Sequence, residues 1–72
     1  MKKSRMKAIV WKEGEYHVAQ LLSADVSSFG SSKREALANL REAAELYFED
    51  ASLRDVRNVE SPEIVTTDIV HA

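Results

Sequence analysis

The sequence contains no cysteine, two glycines and one proline among its 72 residues. Without cysteine there is no disulfide, thiolate nucleophile or cysteine-ligated zinc site, and a reducing cytoplasm is the expected location. Gly14 and Gly30 are the two glycines, too few for a phosphate-binding or dinucleotide-binding loop. No apolar run approaches the roughly 18 residues of a transmembrane helix, so we expect no membrane association.

Residues for catalysis and metal binding are also scarce. His17 and His71, the two histidines, lie near opposite ends of the chain, so we expect no metal site. Turn and cap hydrogen bonds are sufficient reasons for the serines at 27, 28, 31 and 32. The sequence therefore predicts no catalytic residue, no cofactor and no enzymatic activity.

The net charge of −2 is unevenly distributed. The first twelve residues hold five basic and no acidic side chains, whereas the remaining sixty hold five basic and twelve acidic ones, a balance of −7. An acidic body of this kind repels phosphates and attracts basic proteins. Weak nucleic-acid binding through the basic N-terminal segment is the alternative.

The segment 33–50 has the clearest periodicity and predicts an amphipathic helix. Ser32 and Glu35 have the spacing of a capping box, in which a hydroxyl and a carboxylate satisfy two free backbone N–H groups. Leu37, Leu40, Ala44 and Tyr47 recur on the face that requires a core. The other side is polar, and we predict that it binds a partner, a solvated surface being the alternative. Its candidate residues are Glu35, Asn39, Glu42, Glu45 and Glu49.

Four segments have the composition of β-strands. Residues 7–12 and 15–22 are rich in β-branched and aromatic side chains and flank Gly14, which indicates a hairpin. Residues 25–29 predict a short edge strand. Residues 63–72 are a β-branched run that predicts a fourth strand after the helix.

The order of these elements is β-β-β-α-β. A strand reached through a helix usually pairs in parallel by a right-handed crossover, so we place the fourth strand parallel to the first. The prediction is an α+β fold: a single two-layer domain over 1–72, with one helix packed on a mostly antiparallel four-stranded sheet.

A single helix covers only one face of such a sheet, but the first strand carries apolar residues on both faces. We therefore predict that Ile9, Trp11 and Tyr16 contact a second copy or another partner across the helix-free face. A domain of this size buries only about 60% of its unfolded surface. For both reasons we expect a homodimer.

The helix and its approach resemble a known family. Gly30, Ser32 and the run EALANLREAAELY over 35–47 are similar to the N-terminal domain of HicB-family antitoxins, as is the strand pair KAIVWKEGEYHVAQ over 7–20. The resemblance implies a truncated ribonuclease-H-like fold that lacks the catalytic acids.

The resemblance also implies a function in a type II toxin-antitoxin system. The chain would bind a small basic HicA-type toxin, an mRNA-cleaving ribonuclease, and occlude its catalytic histidine. Glu42 and its neighbours on the helix would contact the toxin, since complementary charge speeds association. We expect no separate DNA-binding domain in 1–72. The alternative is a solitary HicB-like dimer with a different protein partner.

Overall fold

A computed structural model describes residues 5–50 and 58–72, with the Asp50 side chain excluded. Its elements, in order, are β1 (Ala8–Glu13), β2 (Tyr16–Leu21), β3 (Ser27–Gly30) and α1 (Lys33–Asp50). The strands form an antiparallel sheet of order β1-β2-β3, so β1 and β3 are both edge strands. The predicted α+β class, the hairpin, the short third strand and the helix are therefore confirmed.

Two predicted segments fall outside this description. They are the basic residues 1–4 and most of the connection between the helix and Pro62, residues 51–57. In the part that the structure describes, no helix combines the length and the apolar character needed to cross a membrane.

The hairpin turns at Gly14, which has a φ of 61°. This left-handed conformation is easily reached by glycine because it has no Cβ. The turn sets a register in which Val10 pairs with Ala19, and Trp11 with Val18. Because side chains alternate across a strand, Val10 and Ala19 lie on one face and Trp11 and Val18 on the other.

The core lies between α1 and the Val10 face of the sheet. Its buried side chains are Ala19, Leu21, Val26, Ala36 and Leu40, and Ala8, Val10, Leu37 and Phe48 pack against them while partly buried. These are small or aliphatic residues at the helical and strand periods that the sequence predicts. The helix thus covers one face of the sheet.

The helix is longer than the sheet that it covers. Its 18 residues span about 27 Å, whereas strands of four to six residues span about 13–20 Å. Tyr47, which we expected in the core, is 41% exposed, and its ring contacts Phe48 edge to face at 4.9 Å. Phe48, one residue later, packs against the core, so the buried face at this end of α1 contains Phe48 in place of Tyr47.

The connection between β3 and α1 is short and tightly packed. Glu35 N–H donates to Ser32 Oγ at 3.1 Å, as the capping box predicts. The Glu35 carboxylate accepts from the Ser31 N–H at 3.0 Å and from the Ser31 hydroxyl at 3.1 Å, one residue earlier than the standard motif. Gly30 is buried here, and a Cβ on it would lie 2.7 Å from Ala36 N and 2.8 Å from Glu35 Cγ.

The predicted fourth strand does not form within this chain. Residues 63–72 belong to no strand, and the sheet has three strands instead of four. The chain turns at Ser61, whose φ is 48°, and the residues beyond Pro62 are exposed. A β-branched pattern favours strand geometry, but a strand exists only when its backbone pairs, and this segment has no partner among the described residues.

We expect Gly30→Ala to lower the free energy of unfolding by about 1–3 kcal/mol, because the new methyl group meets the backbone of α1 and forces the helix away from β3. Urea denaturation measures the change. Gly14→Asn is the matched control, since asparagine tolerates the left-handed φ and nothing lies within 4 Å of a Cβ there. Equal stability of Gly30→Ala and wild type would show that α1 can move away from β3 without a loss of folding free energy.

Candidate functional site

The polar residues predicted on α1 do not form one uniform surface. Glu35, Asn39, Glu42, Leu46 and Glu49 alternate at spacings of four and three residues, so they follow one another along a single side of the helix. We call this row the helix stripe. Glu45 lies beside the helix stripe, three residues after Glu42 and four before Glu49.

Two residues of the helix stripe already have partners in their own chain. Glu35 holds the helix N-terminus through its bonds to Ser31. Asn39 Nδ2 donates to the Phe29 carbonyl oxygen at 2.9 Å, which joins the helix to β3. Both side chains stabilise the packing of α1 on the sheet, whatever else they contact.

The C-terminal half of the helix stripe is open to a partner. Glu42, Glu45 and Glu49 are exposed and make no hydrogen bond or ion pair with the described residues. Leu46 lies between Glu42 and Glu49 and is 60% exposed. The predicted acidic surface therefore has an apolar side chain within it, which the sequence analysis missed although the spacing of Leu46 places it there.

The second candidate surface is the sheet face that α1 does not cover, which we call the open face. Ile9 and Trp11 of β1 lie on it, and so does Tyr16 at the start of β2. Phe29, 63% exposed, is a further member that the sequence analysis did not include. Its pairing with Val18 was not known from the sequence, and that pairing is what assigns its face.

The side chains of the open face form a continuous apolar row. Trp11 pairs with Val18, and Val18 pairs with Phe29, so the three residues cross the full width of the sheet. The Tyr16 ring packs against the Phe29 ring at 5.7 Å between centroids and 83° between planes. A shallow depression of ≈ 640 Å³ lies beside these two rings.

The two surfaces differ in chemistry, and neither brings together the side chains of a metal site. Over 5–50 and 58–72 no three metal-ligating side chains come together. The helix stripe offers negative charge around one leucine, and the open face offers flat aromatic area. Aromatic residues are the side chains enriched at protein interfaces, and acidic residues direct the approach of basic partners.

Comparison with known proteins finds no matching family model. No curated protein and no solved structure is significantly similar to the chain.

The hydrogen bond from Asn39 gives a prediction about stability. Asn39→Ala removes the donor to Phe29 O and should lower the free energy of unfolding by about 1 kcal/mol, as expected for one hydrogen bond. Glu45→Gln, on the same helix without such a bond, should leave stability within about 0.5 kcal/mol of wild type. Urea denaturation compares the two, and an unchanged Asn39→Ala would mean that this bond adds nothing to the packing of α1.

Proposed function

We propose that the chain is a HicB-like antitoxin that binds a small basic HicA-type toxin in the cytoplasm and occludes its catalytic histidine. Binding is by contact between protein surfaces, with no cofactor. The observation that carries the proposal is the exposed C-terminal half of the helix stripe, where Glu42, Glu45 and Glu49 surround Leu46 and have no partner among the described residues.

The roles of the family-like residues support this choice of surface. Gly30 lets the helix approach β3, Ser32 caps it, and Asn39 joins it to β3. Ala36 and Leu40 are buried in the core. These residues account for the helix position, and the acidic residues of the same run are left for a partner.

The chemistry of the helix stripe fits a basic protein. Three carboxylates within two turns produce a local negative potential, which raises the rate of encounter with a positively charged partner. An exposed leucine among them provides the apolar contact that is desolvated on binding, and such contacts determine how slowly a complex dissociates. A ribonuclease surface that binds RNA phosphates is basic for the same electrostatic reason.

The finer fold belongs to the same proposal. A truncated ribonuclease-H-like domain has four strands, whereas the single chain has three. Residues 63–70 have the composition of the remaining strand, and β1 has an unpaired edge beside which a fourth strand would lie. We propose that a fourth strand joins this edge in the assembled protein.

The charges of the helix stripe give a direct test, in which the candidate toxin is the small basic protein of the neighbouring open reading frame. Glu42→Lys/Glu45→Lys should weaken the complex at least about 100-fold at low salt, because two like-charge contacts replace two attractive ones. Isothermal titration calorimetry measures the affinity, and a growth assay with the co-expressed toxin measures protection. The variant should also fail to restore growth.

The matched control is Glu13→Lys/Glu15→Lys, which makes the same change of net charge at the hairpin. It should bind and protect like wild type, and circular dichroism should show both variants folded. Normal toxin binding by Glu42→Lys/Glu45→Lys would exclude the helix stripe as the contact surface. No complex with the wild-type chain, and no toxicity of the neighbouring protein, would overturn the antitoxin proposal itself.

A further inference from the structure

The last residues of the chain expose more apolar surface than any other described segment. Ile64 and Val70 are 94% and 98% exposed, and Val65 and Ile69 are 75% and 72% exposed. We call residues 63–70 the C-terminal arm. Four large β-branched side chains in eight residues are costly to leave in water, since each gains about 1.5–3 kcal/mol when fully buried. The C-terminal arm therefore has no partner for these side chains among residues 5–50 and 58–62.

The sheet has two edges, and only one of them is open along its length. Leu22 N–H donates to Lys7 O, so Lys7 and Leu22 form a hydrogen-bonded pair. In an antiparallel ladder hydrogen-bonded and non-hydrogen-bonded pairs alternate along the strand. The N–H and C=O groups of Ala8, Val10 and Lys12 therefore point away from β2. No described residue bonds to these groups. At the β3 edge, by contrast, the outward carbonyl of Phe29 already accepts from Asn39.

The C-terminal arm begins near β1 but does not pair with it. Lys7 Nζ donates to Val59 O at 3.1 Å, which holds the chain beside the start of β1. The bond runs through the long Lys7 side chain, so it brings Val59 near β1 without pairing the two backbones. Ser61, with its positive φ, then turns the chain, and residues 63–70 belong to no strand.

We infer that the C-terminal arm of one copy pairs in the antiparallel direction with the β1 edge of a second copy, and that the two copies exchange arms. Each exchanged arm then adds a fourth strand to the sheet of its neighbour. This strand is antiparallel to β1, whereas the β-β-β-α-β order predicts a parallel one within a single chain. An exchange of identical segments is closed by a two-fold axis, so it stops at a dimer. The inference rests on the exposed arm and the unpaired β1 edge. It does not depend on whether the chain binds a toxin.

The charges select the register of this pairing. Glu63 and Asp68 are five residues apart, as are Lys7 and Lys12 on β1. Antiparallel pairing of Glu63 with Lys12 therefore also pairs Asp68 with Lys7, and both pairs are of opposite charge. Residues five apart in a strand lie on opposite faces of the sheet. The pair of Glu63 and Lys12 therefore lies on one face and the pair of Asp68 and Lys7 on the other.

The same register matches the apolar faces. It pairs Val65 with Val10 and Ile69 with Met6, on the side where Val10 and Met6 already pack against the core. It pairs Ile64 with Trp11 on the open face. The parallel register that preserves both charge pairs would instead place Thr66 beside Val10 and Ile69 beside Glu13, which leaves an isoleucine in solvent.

A groove on the helix side of the β1 edge is available for these side chains. It has a volume of ≈ 490 Å³ and is lined by Val10, Lys12, Lys33 and Leu37, among others. In the antiparallel register Val65 enters the groove beside Val10. The Glu63 carboxylate then faces two lysines, Lys12 from the strand and Lys33 from the start of α1.

Introduced cysteines report the exchange cleanly because the chain has none of its own. In this register Ile9 and Thr66 lie directly opposite each other. Their backbone groups are not hydrogen-bonded to each other, and in such pairs the side chains are closest. The variants Ile9→Cys and Thr66→Cys therefore bring the two thiols together. The two single variants are mixed in urea, refolded together, oxidised and separated on a nonreducing gel. We expect a disulfide-linked species of twice 8.1 kDa, at least about fivefold more abundant than with the control pair Ile9→Cys and Thr67→Cys.

The double variant Ile9→Cys/Thr66→Cys separates exchange from pairing within one chain. Linked dimers support the inference, whereas a monomer with an internal disulfide overturns it. In the parallel arrangement Ile9 lies opposite Val65. A disulfide that forms preferentially between Ile9→Cys and Val65→Cys would therefore overturn the antiparallel register. A wild-type chain of monomeric mass at 100 μM by light scattering would overturn the dimer altogether.

Charge reversal provides a second test on the full-length chain. Glu63→Lys/Asp68→Lys should raise the dimer dissociation constant at least tenfold, since every exchanged arm loses two attractive pairs and gains two repulsive ones. Mixing this variant with Lys7→Glu/Lys12→Glu should restore a heterodimer of near wild-type affinity. The helical signal in circular dichroism should be that of wild type, because the arm lies outside the core under α1. Failure of the mixed pair to associate would overturn the pairing.

Discussion

At the corner between β3 and α1, the buried Gly30 lies so close to the Ala36 backbone nitrogen that no side chain fits between them. This contact sets the distance between helix and sheet. The Ser31 N–H donates to the Glu35 carboxylate and the Glu35 N–H donates to Ser32 Oγ, and these two bonds fix where the helix begins. Asn39 fixes the position of the helix along β3. The small core of Ala19, Leu21, Val26, Ala36 and Leu40 follows from that separation.

A single helix on a three-stranded sheet leaves two kinds of surface without cover. One is the open face, where the row Trp11, Val18 and Phe29 remains accessible. The other is the β1 edge, whose outward backbone groups have no partner among the described residues. A domain of this size has too few residues to cover both, so apolar area and backbone groups remain for contacts with other molecules.

The helix combines a structural and a recognition surface along its length. Near its N-terminus Glu35 and Asn39 bond to the preceding loop and to β3. Further along α1 the same side of the helix carries Glu42, Leu46 and Glu49, which are exposed. Distance along α1 from the β3 connection therefore separates the polar residues that stabilise the fold from those that stay available to a partner.

The sequence by itself determined the elements that depend on local chemistry. The capping residues and the helical period predict α1 with its observed bounds, and Gly14 between β-branched runs predicts the hairpin, because caps, turns and periods act over a few residues. Alternation along β1 likewise placed Ile9 and Trp11 together on one face.

Only the tertiary structure decided what depends on distant contacts. The exposure of Tyr47 follows from the packing of Phe48 in its place against the core. The face of Phe29 follows from its pairing with Val18, and the bond of Asn39 from the position of β3. The fate of 63–70 shows the same limit. Its β-branched residues favour a strand, but whether a strand forms depends on an edge elsewhere, because strand hydrogen bonds join segments that are far apart in the chain.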